Sequence, residues 1–292
     1  MGAGSGGIRP EPIGTIERKA SMKRSLVLLL AVAALIIAMI TPVGAITNGE
    51  LDGEGHPGVV LLLMDVGGEP AFRCSATLLS PTVVLTAGHC TSNYPDEPFT
   101  GMRVFTESDV DNGDNTYPDA GGPNSVEAVS WAAHPNYETA PFFMNDVGVV
   151  ILEEPGVILD IGYYGTLPDV DQLDELKTKR GRHKTFFTAV GYGLQRINPV
   201  FVEADRVRMV AYPKLIQINT PGFTGDFSLL LSNNHSTGGT CFGDSGGPNF
   251  LGDSMVVAGV TSFGLNGNCA GTGGVFRMDR QNVLDFVNLY LP

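Results

Sequence analysis

The sequence has little of several features that mark other classes of protein. Its 292 residues contain only four cysteines and one tryptophan, and charged residues make up 17% of the chain. No two cysteines have the CxxC spacing typical of zinc sites, so we expect no metal held by cysteine. The formal net charge is −13, with 18 basic against 31 acidic residues, so we expect no nucleic-acid partner.

Short apolar runs separated by turn residues make up most of the chain. Glycine (38 residues) and proline (19 residues) are abundant, and 43% of the residues are hydrophobic. Runs such as 83–87 and 147–152 indicate strands of a first half, and runs such as 185–190 and 255–262 indicate strands of a second half, with residues 154–183 as the connection. This pattern predicts an all-β fold, either a barrel or a sandwich.

The C-terminal end has a different hydrophobic period. Val283, Leu284, Phe286 and Val287 fall on one side of a helix. We therefore predict one terminal helix over about residues 279–291, and Asp279 could cap it.

The N-terminal segment has the pattern of an export signal. Residues 1–21 are polar and glycine-rich, and we interpret them as a disordered leader or an upstream extension. Residues 22–45 combine a basic start, the apolar run 26–40 and small residues before a cut after Ala45, which is typical of a signal peptide. We expect secretion, with membrane contact only through this segment. The alternative is an uncleaved membrane anchor, although the run falls short of the ~20 residues needed to span a bilayer.

Four cysteines suit an exported protein held by two disulfides. Composition alone leaves three pairings open among Cys74, Cys90, Cys241 and Cys269.

Residues 106–119 are rich in acidic side chains, whose oxygens calcium prefers. The spacing departs from the regular twelve-residue calcium loop. A calcium site and a solvated surface loop are therefore both open, and we expect no other cofactor to be required.

Ser245 is the strongest candidate nucleophile. It lies in the segment 243–248, GDSGGP, where glycines on both sides permit an unusual backbone path and expose the hydroxyl. The same turn can direct the N–H groups of Gly243 and Ser245 to one point, which would hold an oxyanion.

A serine nucleophile needs a base, and the base needs an acceptor that holds its tautomer. Among five histidines, His89 follows a strongly apolar strand and precedes a cysteine that can fix its backbone. Asp146 directly precedes the apolar run 147–152, so its carboxylate would lie at the rim of a rigid core. We therefore select His89 as the base and Asp146 as its partner.

Three motifs in this order resemble those of the chymotrypsin/trypsin-like serine peptidases. They are TAGHC at 86–90, NDVGV at 145–149 and GDSGGP at 243–248. The resemblance spans about residues 46–292 and implies two six-stranded antiparallel β-barrels followed by the C-terminal helix. By this resemblance the first barrel covers about 46–165 and the second about 180–278, with the site in the cleft between them.

The resemblance also implies roles for individual residues. It pairs Cys74 with Cys90 and Cys241 with Cys269, and it makes His89, Asp146 and Ser245 a catalytic triad that cleaves peptide bonds through an acyl-enzyme. Further residues with implied roles fall into two groups. The substrate-binding residues are Gly239, Thr240, Phe242, Ser262, Phe263, Gly264 and Gly274, and the activation pair is the Ile46 amine with the Asp244 carboxylate.

Two departures from the family pattern shape the expectations. The residue before Ile46 is Ala45 and not Lys or Arg, so removal of the signal peptide would itself create the activating amine. Gly239 stands where trypsin-like members carry an aspartate, so we expect cleavage after Leu, Phe, Tyr or Met and not after Arg or Lys. We expect a monomeric endopeptidase acting on proteins or peptides. The alternative is a pseudo-protease, an inactive binding module with the same fold.

Overall fold

The computed structural model describes residues 1–2, 46–92, 98–138, 141–177, 185–198, 201–221 and 223–292. The chain divides into two units, Met1–Pro42 and Val43–Pro292, and all elements below belong to the second. The predicted signal peptide, 22–45, and nearly all of the predicted leader, 1–21, lie outside the described residues. Within the part that is described, no helix has the length and apolar character to cross a membrane.

The first half of the fold is a closed six-stranded barrel. After a short strand β1 (Glu50–Leu51), its strands are β2 (Val59–Val66), β3 (Glu69–Leu78), β4 (Val83–Thr86), β5 (Phe99–Phe105), β6 (Ser125–Ala133) and β7 (Gly148–Leu152). The barrel closes in the order β2-β3-β4-β7-β6-β5, with all pairs antiparallel.

Strand β2 is buried on both faces, which explains its uninterrupted apolar sequence. Val60 and Leu62 point into the interior of the first barrel. Leu61 and Leu63 join a second cluster that also holds Phe250 of the other half. Because successive side chains of a strand point to opposite faces, the apolar residues of β2 alternate between the barrel core and the core that both halves share.

The second half is a larger antiparallel sheet. Its strands are β8 (Phe187–Gly191), β11 (Met209–Ala211), β12 (Leu215–Thr220), β13 (Gly225–Asn233), β14 (Pro248–Leu251), β15 (Val257–Gly264) and β16 (Gly271–Arg277), while β9 (Arg196–Asn198) and β10 (Phe201–Glu203) form a separate hairpin. The order is β1-β11-β8-β14-β15-β16-β13-β12.

Strand β11, next to β1 at one end of this sheet, and strand β12, at the other end, are consecutive pieces of chain. Only residues 212–214 separate β11 from β12, and Pro213 within that gap has no N–H to continue a ladder. Counted as one interrupted strand, β11 and β12 complete a ring of six that pairs with β8 at one end and β13 at the other. The all-β class with two six-stranded barrels and a C-terminal helix is confirmed.

Residues near the start of the second unit belong to the second sheet. The resemblance placed the chain from about residue 46 in the first barrel, but β1 pairs with β11. Ile46 is fully buried beside Ala189, Met209 and Ala211. Because Ile46 is buried against the second sheet, the strand β1 that follows it also lies in that sheet.

The terminal helix α1 spans Gln281–Asn288 and packs Val283, Phe286 and Val287 into the shared core. Asp279 does not cap it, so that prediction is wrong. The Asp279 carboxylate is fully buried and accepts hydrogen bonds from Arg277 Nε at 2.9 Å and from the Leu173 N–H at 2.7 Å. An unpaired buried carboxylate is costly, so Asp279 accepts bonds from these charged and backbone donors and does not cap the helix.

A buried arginine ties the two halves together. Arg208, directly before β11, has no exposed surface and donates to Asp52 Oδ2 at 2.9 Å, to the Val59 carbonyl at 3.1 Å and to the Gly53 carbonyl at 2.7 Å. Because a buried charge without partners is costly, these bonds favour one docked arrangement.

The acidic loop 106–119 also bridges the halves. The Val110 N–H donates to the Arg206 carbonyl at 2.9 Å, and the Arg208 N–H donates to the Ser108 carbonyl at 2.6 Å. Within the loop, the Glu107 carboxylate accepts from the Asp114 N–H at 2.5 Å and from Asn115 and Asn124. Both oxygens of Glu107 therefore accept hydrogen bonds from N–H donors.

Candidate active site

The His89 imidazole and the Asp146 carboxylate are in direct contact. His89 lies in a 3-10 turn, Gly88–Cys90, just after β4, and Asp146 lies just before β7, which pairs with β4. His89 Nδ1 is 2.9 Å from Asp146 Oδ2, and the His89 N–H donates to Asp146 Oδ1 at 2.8 Å. Ser262 Oγ donates to the same carboxylate at 2.5 Å. Asp146 is fully buried and is therefore held by three donors.

This contact changes the basicity of the imidazole. Burial alone would lower the pKa of His89, but attraction and hydrogen bonding from Asp146 raise that pKa above its ordinary value of 6.5. The charged imidazole that forms when a base takes a proton is thereby stabilised.

Ser245 lies in a turn that requires glycine. Gly243 has φ +94° and Gly246 has φ +76°, a region that favours glycine. A Cβ at Gly246 would also overlap Thr86 Oγ1. Ser245 is half-buried, and it lines the same cleft of about 490 Å³ as His89. Among the described residues, the Ser245 hydroxyl has no hydrogen-bond partner, His89 included, and catalytic hydrogen bonds often form only when substrate is bound.

The turn also presents backbone donors. Within the described chain, neither the Gly243 N–H nor the Ser245 N–H donates to a protein acceptor. The two amides flank Asp244, whose carboxylate is turned inward and accepts from the N–H groups of Cys241 and Gly193, each at 2.8 Å. The arrangement can therefore offer two N–H groups to a developing oxyanion.

In the continuous chain the Asp244 carboxylate accepts from backbone N–H groups, and Ile46 is not among these donors. Ile46 is joined to Ala45 and so has no free amine, although the bridge between Thr47 and Gly239 holds this segment against the second sheet. Burial raises the pKa of Asp244 to about 7, while the backbone hydrogen bonds and the charge of Arg73 act to lower it. Within the described chain, the buried carboxylate forms no ion pair, and Arg73 acts on it only through its charge.

The structure brings most of the proposed substrate-binding residues to the cleft. Those that line it are Thr240, Phe242, Ser262, Phe263 and Gly264. Gly239 and Gly274 do not line it. Other side chains fill the space beside them: a Cβ at Gly274 would overlap the Phe263 ring, and a Cβ at Gly239 would meet the Asn233 side chain.

Asn233 is a cleft residue that the sequence did not reveal. It is buried, and Nδ2 donates to the Thr240 carbonyl at 2.8 Å while Oδ1 accepts from Thr47 Oγ1 at 3.1 Å. Its amide occupies the space beside Gly239. A glycine at position 239 indicates open space beside the cleft, but the sequence does not reveal which distant residue fills that space.

A group of phenylalanines at the cleft was also missed. The Phe142 ring lies 6.3 Å from the His89 ring, and Phe143 contacts Phe223 and Phe263 at centroid distances of 4.7 and 5.5 Å. Phe142 and Phe223 are more than 40% exposed. The pair Phe142–Phe143 just before Asp146 was the sequence signal. These rings make the approach to the site apolar.

Both disulfides form in the pairing that the resemblance implies. Cys74 joins Cys90, next to His89, and Cys241 joins Cys269, at the edge of the cleft.

Comparisons with known proteins agree with this geometry. Residues 54–287 match the family model described as Trypsin. Brachyurin of Leptuca pugilator is 27% identical over 203 residues, which cover 68% of this chain and 78% of the relative. Glandular kallikrein-10 of Rattus norvegicus is 27% identical over 226 residues, which cover 68% of this chain and 73% of the relative.

One solved structure has the same fold. The structure of HL collagenase superposes with a TM-score of 0.63 at 20% identity, covering 84% of this chain and 99% of that chain.

Proposed function

Because the chain belongs to the trypsin family, we propose that it is a secreted serine endopeptidase with His89, Asp146 and Ser245 as its triad. The observation that carries the proposal is the contact between the His89 imidazole and the buried Asp146 carboxylate, in the cleft that Ser245 lines. Secretion is supported by the signal pattern of residues 22–45 and by two disulfides, which persist in oxidising compartments.

The proposed reaction is acyl transfer to water. Ser245 Oγ attacks the scissile carbonyl while His89 takes its proton, and His89 then gives that proton to the leaving amine. Asp146 stabilises the charged imidazole, and the N–H groups of Gly243 and Ser245 hold the oxyanion. Water then takes the place of the amine: it attacks the acyl carbonyl while His89 accepts its proton, and His89 returns that proton to Ser245 Oγ as the acid product leaves.

We propose an apolar residue, Leu, Phe, Tyr or Met, on the acyl side of the cleaved bond. Among the described residues that line the cleft there is no carboxylate, so an Arg or Lys side chain would lack a partner there. The segment Ser262–Gly264 at the end of β15 would pair with the substrate backbone as an added strand. A peptide panel in which Arg substrates are cleaved best would contradict this preference.

We further propose that cleavage after Ala45 activates the enzyme. The new Ile46 amine would give the buried Asp244 carboxylate a cation and so order the oxyanion turn. N-terminal sequencing of active protein should give Ile46 as the first residue. Activity should also fade at alkaline pH as the amine loses its proton.

The decisive experiment compares the mature protein with Ser245→Ala on a peptide library. We expect cleavage after apolar residues by the mature protein and a loss of roughly 10⁶-fold in kcat in the variant. An acylating active-site titrant distinguishes the pseudo-protease alternative, because only a competent Ser245 is labelled. A correctly folded, oxidised protein that takes up no label would contradict the proposed activity.

A further inference from the structure

Ser75 lies at the junction of the two barrels, opposite the nucleophile turn. It belongs to β3 of the first barrel, next to Cys74 and its disulfide to Cys90. The residue has no exposed surface, so its hydroxyl must find partners within the protein.

Ser75 holds the nucleophile turn at two points. Its backbone N–H donates to the Ser245 carbonyl at 2.8 Å. Its Oγ donates to the Gly243 carbonyl at 2.9 Å. The two bonds lie on either side of Asp244, and they cross from the first barrel to the second.

The direction of the hydroxyl proton is fixed by a third bond. The Tyr192 N–H donates to Ser75 Oγ at 2.9 Å. A backbone N–H can only donate, so Oγ accepts there and its own proton is directed to the Gly243 carbonyl. The chain Tyr192 N–H, Ser75 hydroxyl, Gly243 carbonyl is therefore fully satisfied.

Gly243 is the residue in this turn that most needs such a restraint. Glycine moves easily between backbone conformations, and Gly243 has φ +94°. The Gly243 N–H belongs to peptide group 242–243, whose Phe242 carbonyl accepts from the Leu194 N–H at 2.8 Å, while the Gly243 carbonyl belongs to the next peptide group. Rotation of this next peptide group about the bonds of Gly243 would shift the Gly243 Cα and the direction of its N–H. It would also leave the carbonyl of Gly243 and the N–H of Tyr192 without their partner, which is unfavourable at a buried site.

We propose that Ser75 is a positioning residue whose hydroxyl keeps the Gly243 N–H directed into the oxyanion site. This inference rests on the proposed peptidase activity, and Ser75 itself touches neither the substrate nor the reacting atoms. It gives the first barrel, which supplies the base, a second function as a support for the oxyanion site of the other barrel.

The test uses Ser75→Ala, Ser75→Thr and a matched control in the same strand. Thr77 is two residues along β3 and equally buried, but its hydroxyl has no partner within the described structure. Thr77→Val therefore removes a buried hydroxyl without removing a hydrogen bond. Each kcat is normalised to sites counted with an active-site titrant, so that misfolded molecules do not contribute.

We expect Ser75→Ala to lower kcat about tenfold with KM within twofold, because the lost bond supports a group used in the transition state. A peptide aldehyde, which places an oxyanion in the site, should bind about tenfold more weakly. Ser75→Thr keeps the hydroxyl and should restore kcat to within about threefold of the wild type, and Thr77→Val should leave kcat unchanged.

Other results would overturn the inference. Ser75→Ala with an unchanged kcat per titrated site, an equal change in KM and kcat, or Ser75→Thr as slow as Ser75→Ala would each do so. A wild type that takes up no titrant refutes the proposed activity itself. Labelled wild type with an unaffected Ser75→Ala refutes the role of Ser75 alone.

Discussion

The Asp146 carboxylate accepts three hydrogen bonds, from the His89 backbone, the His89 ring and Ser262 Oγ. It has no exposed surface, so its charge is balanced only by these donors. At the scale of single residues, this carboxylate orients the imidazole of His89, the proposed base, and raises its pKa.

Asp146→Asn should lower kcat by about 10⁴, because the amide favours the wrong imidazole tautomer. In the wild type the raised pKa of His89 means that activity is lost as pH falls through that pKa, where the base becomes protonated. Without the carboxylate charge the pKa of His89 drops, so the acid limb of kcat/KM should move to lower pH. Asp169→Asn, a change at an exposed aspartate, is the control and should leave the profile unchanged. An acid limb that moved to higher pH would contradict this account.

Asn233→Asp should change which peptides are cleaved. The new carboxylate would lie beside Gly239 at the cleft and give a basic substrate side chain a partner. We expect the kcat/KM ratio of Arg to Leu substrates to rise roughly tenfold to hundredfold, as for a charged hydrogen bond. Asn234→Asp makes the same charge change on the neighbouring exposed residue, which does not line this cleft, and should leave the ratio unchanged. Equal ratios in the two variants would argue against a role for Asn233.

At the scale of elements, the loop 106–119 joins the barrels through backbone bonds to residues 206–208. Its acidic side chains suggested two uses, calcium binding or solvation. The donors around Glu107, which include Asn124 just beyond the loop, favour a loop held by amide groups over a calcium site.

Removal of calcium should leave the melting temperature unchanged. Both Glu107 oxygens already accept from N–H groups, so chelation has no bond to break at this carboxylate. Thermal unfolding with and without EGTA measures this, and added magnesium serves as a control for ionic strength. A lower melting temperature in EGTA that calcium restores would establish the calcium site instead.

At the scale of the whole molecule, the fold buries the Asp244 carboxylate, to which the proposed cut after Ala45 would supply a cation. Asp244 has a pKa of about 7 in the continuous chain, against an ordinary value of 3.8. Because the folded pKa is raised, the associated stability is fully present below pH 3.8 and is lost as pH rises through 7.

We therefore expect the continuous chain to lose about 4 kcal/mol of unfolding free energy from this group between pH 4 and pH 8. A chain that begins at Ile46 should lose much less, because its amine pairs with the ionised carboxylate. Urea unfolding at several pH values measures both, and Asp244→Asn in the continuous chain should remove this part of the pH dependence. Identical pH profiles for the two chains would contradict the pairing.

Local sequence was sufficient to determine the motif order, the triad candidates and the all-β class. His89, Asp146 and Ser245 each sit in a short segment whose glycines and apolar neighbours reflect a local requirement, so each could be recognised without knowing its partners. Asn233 beside Gly239, Ser75 beneath Gly243 and the buried carboxylate of Asp279 were decided only in three dimensions. Ser75 and Gly243 are 168 positions apart, and Asp279 and Leu173 are 106 apart. Contacts of that range depend on how two barrels dock, and no local pattern of residues encodes which side chains then meet.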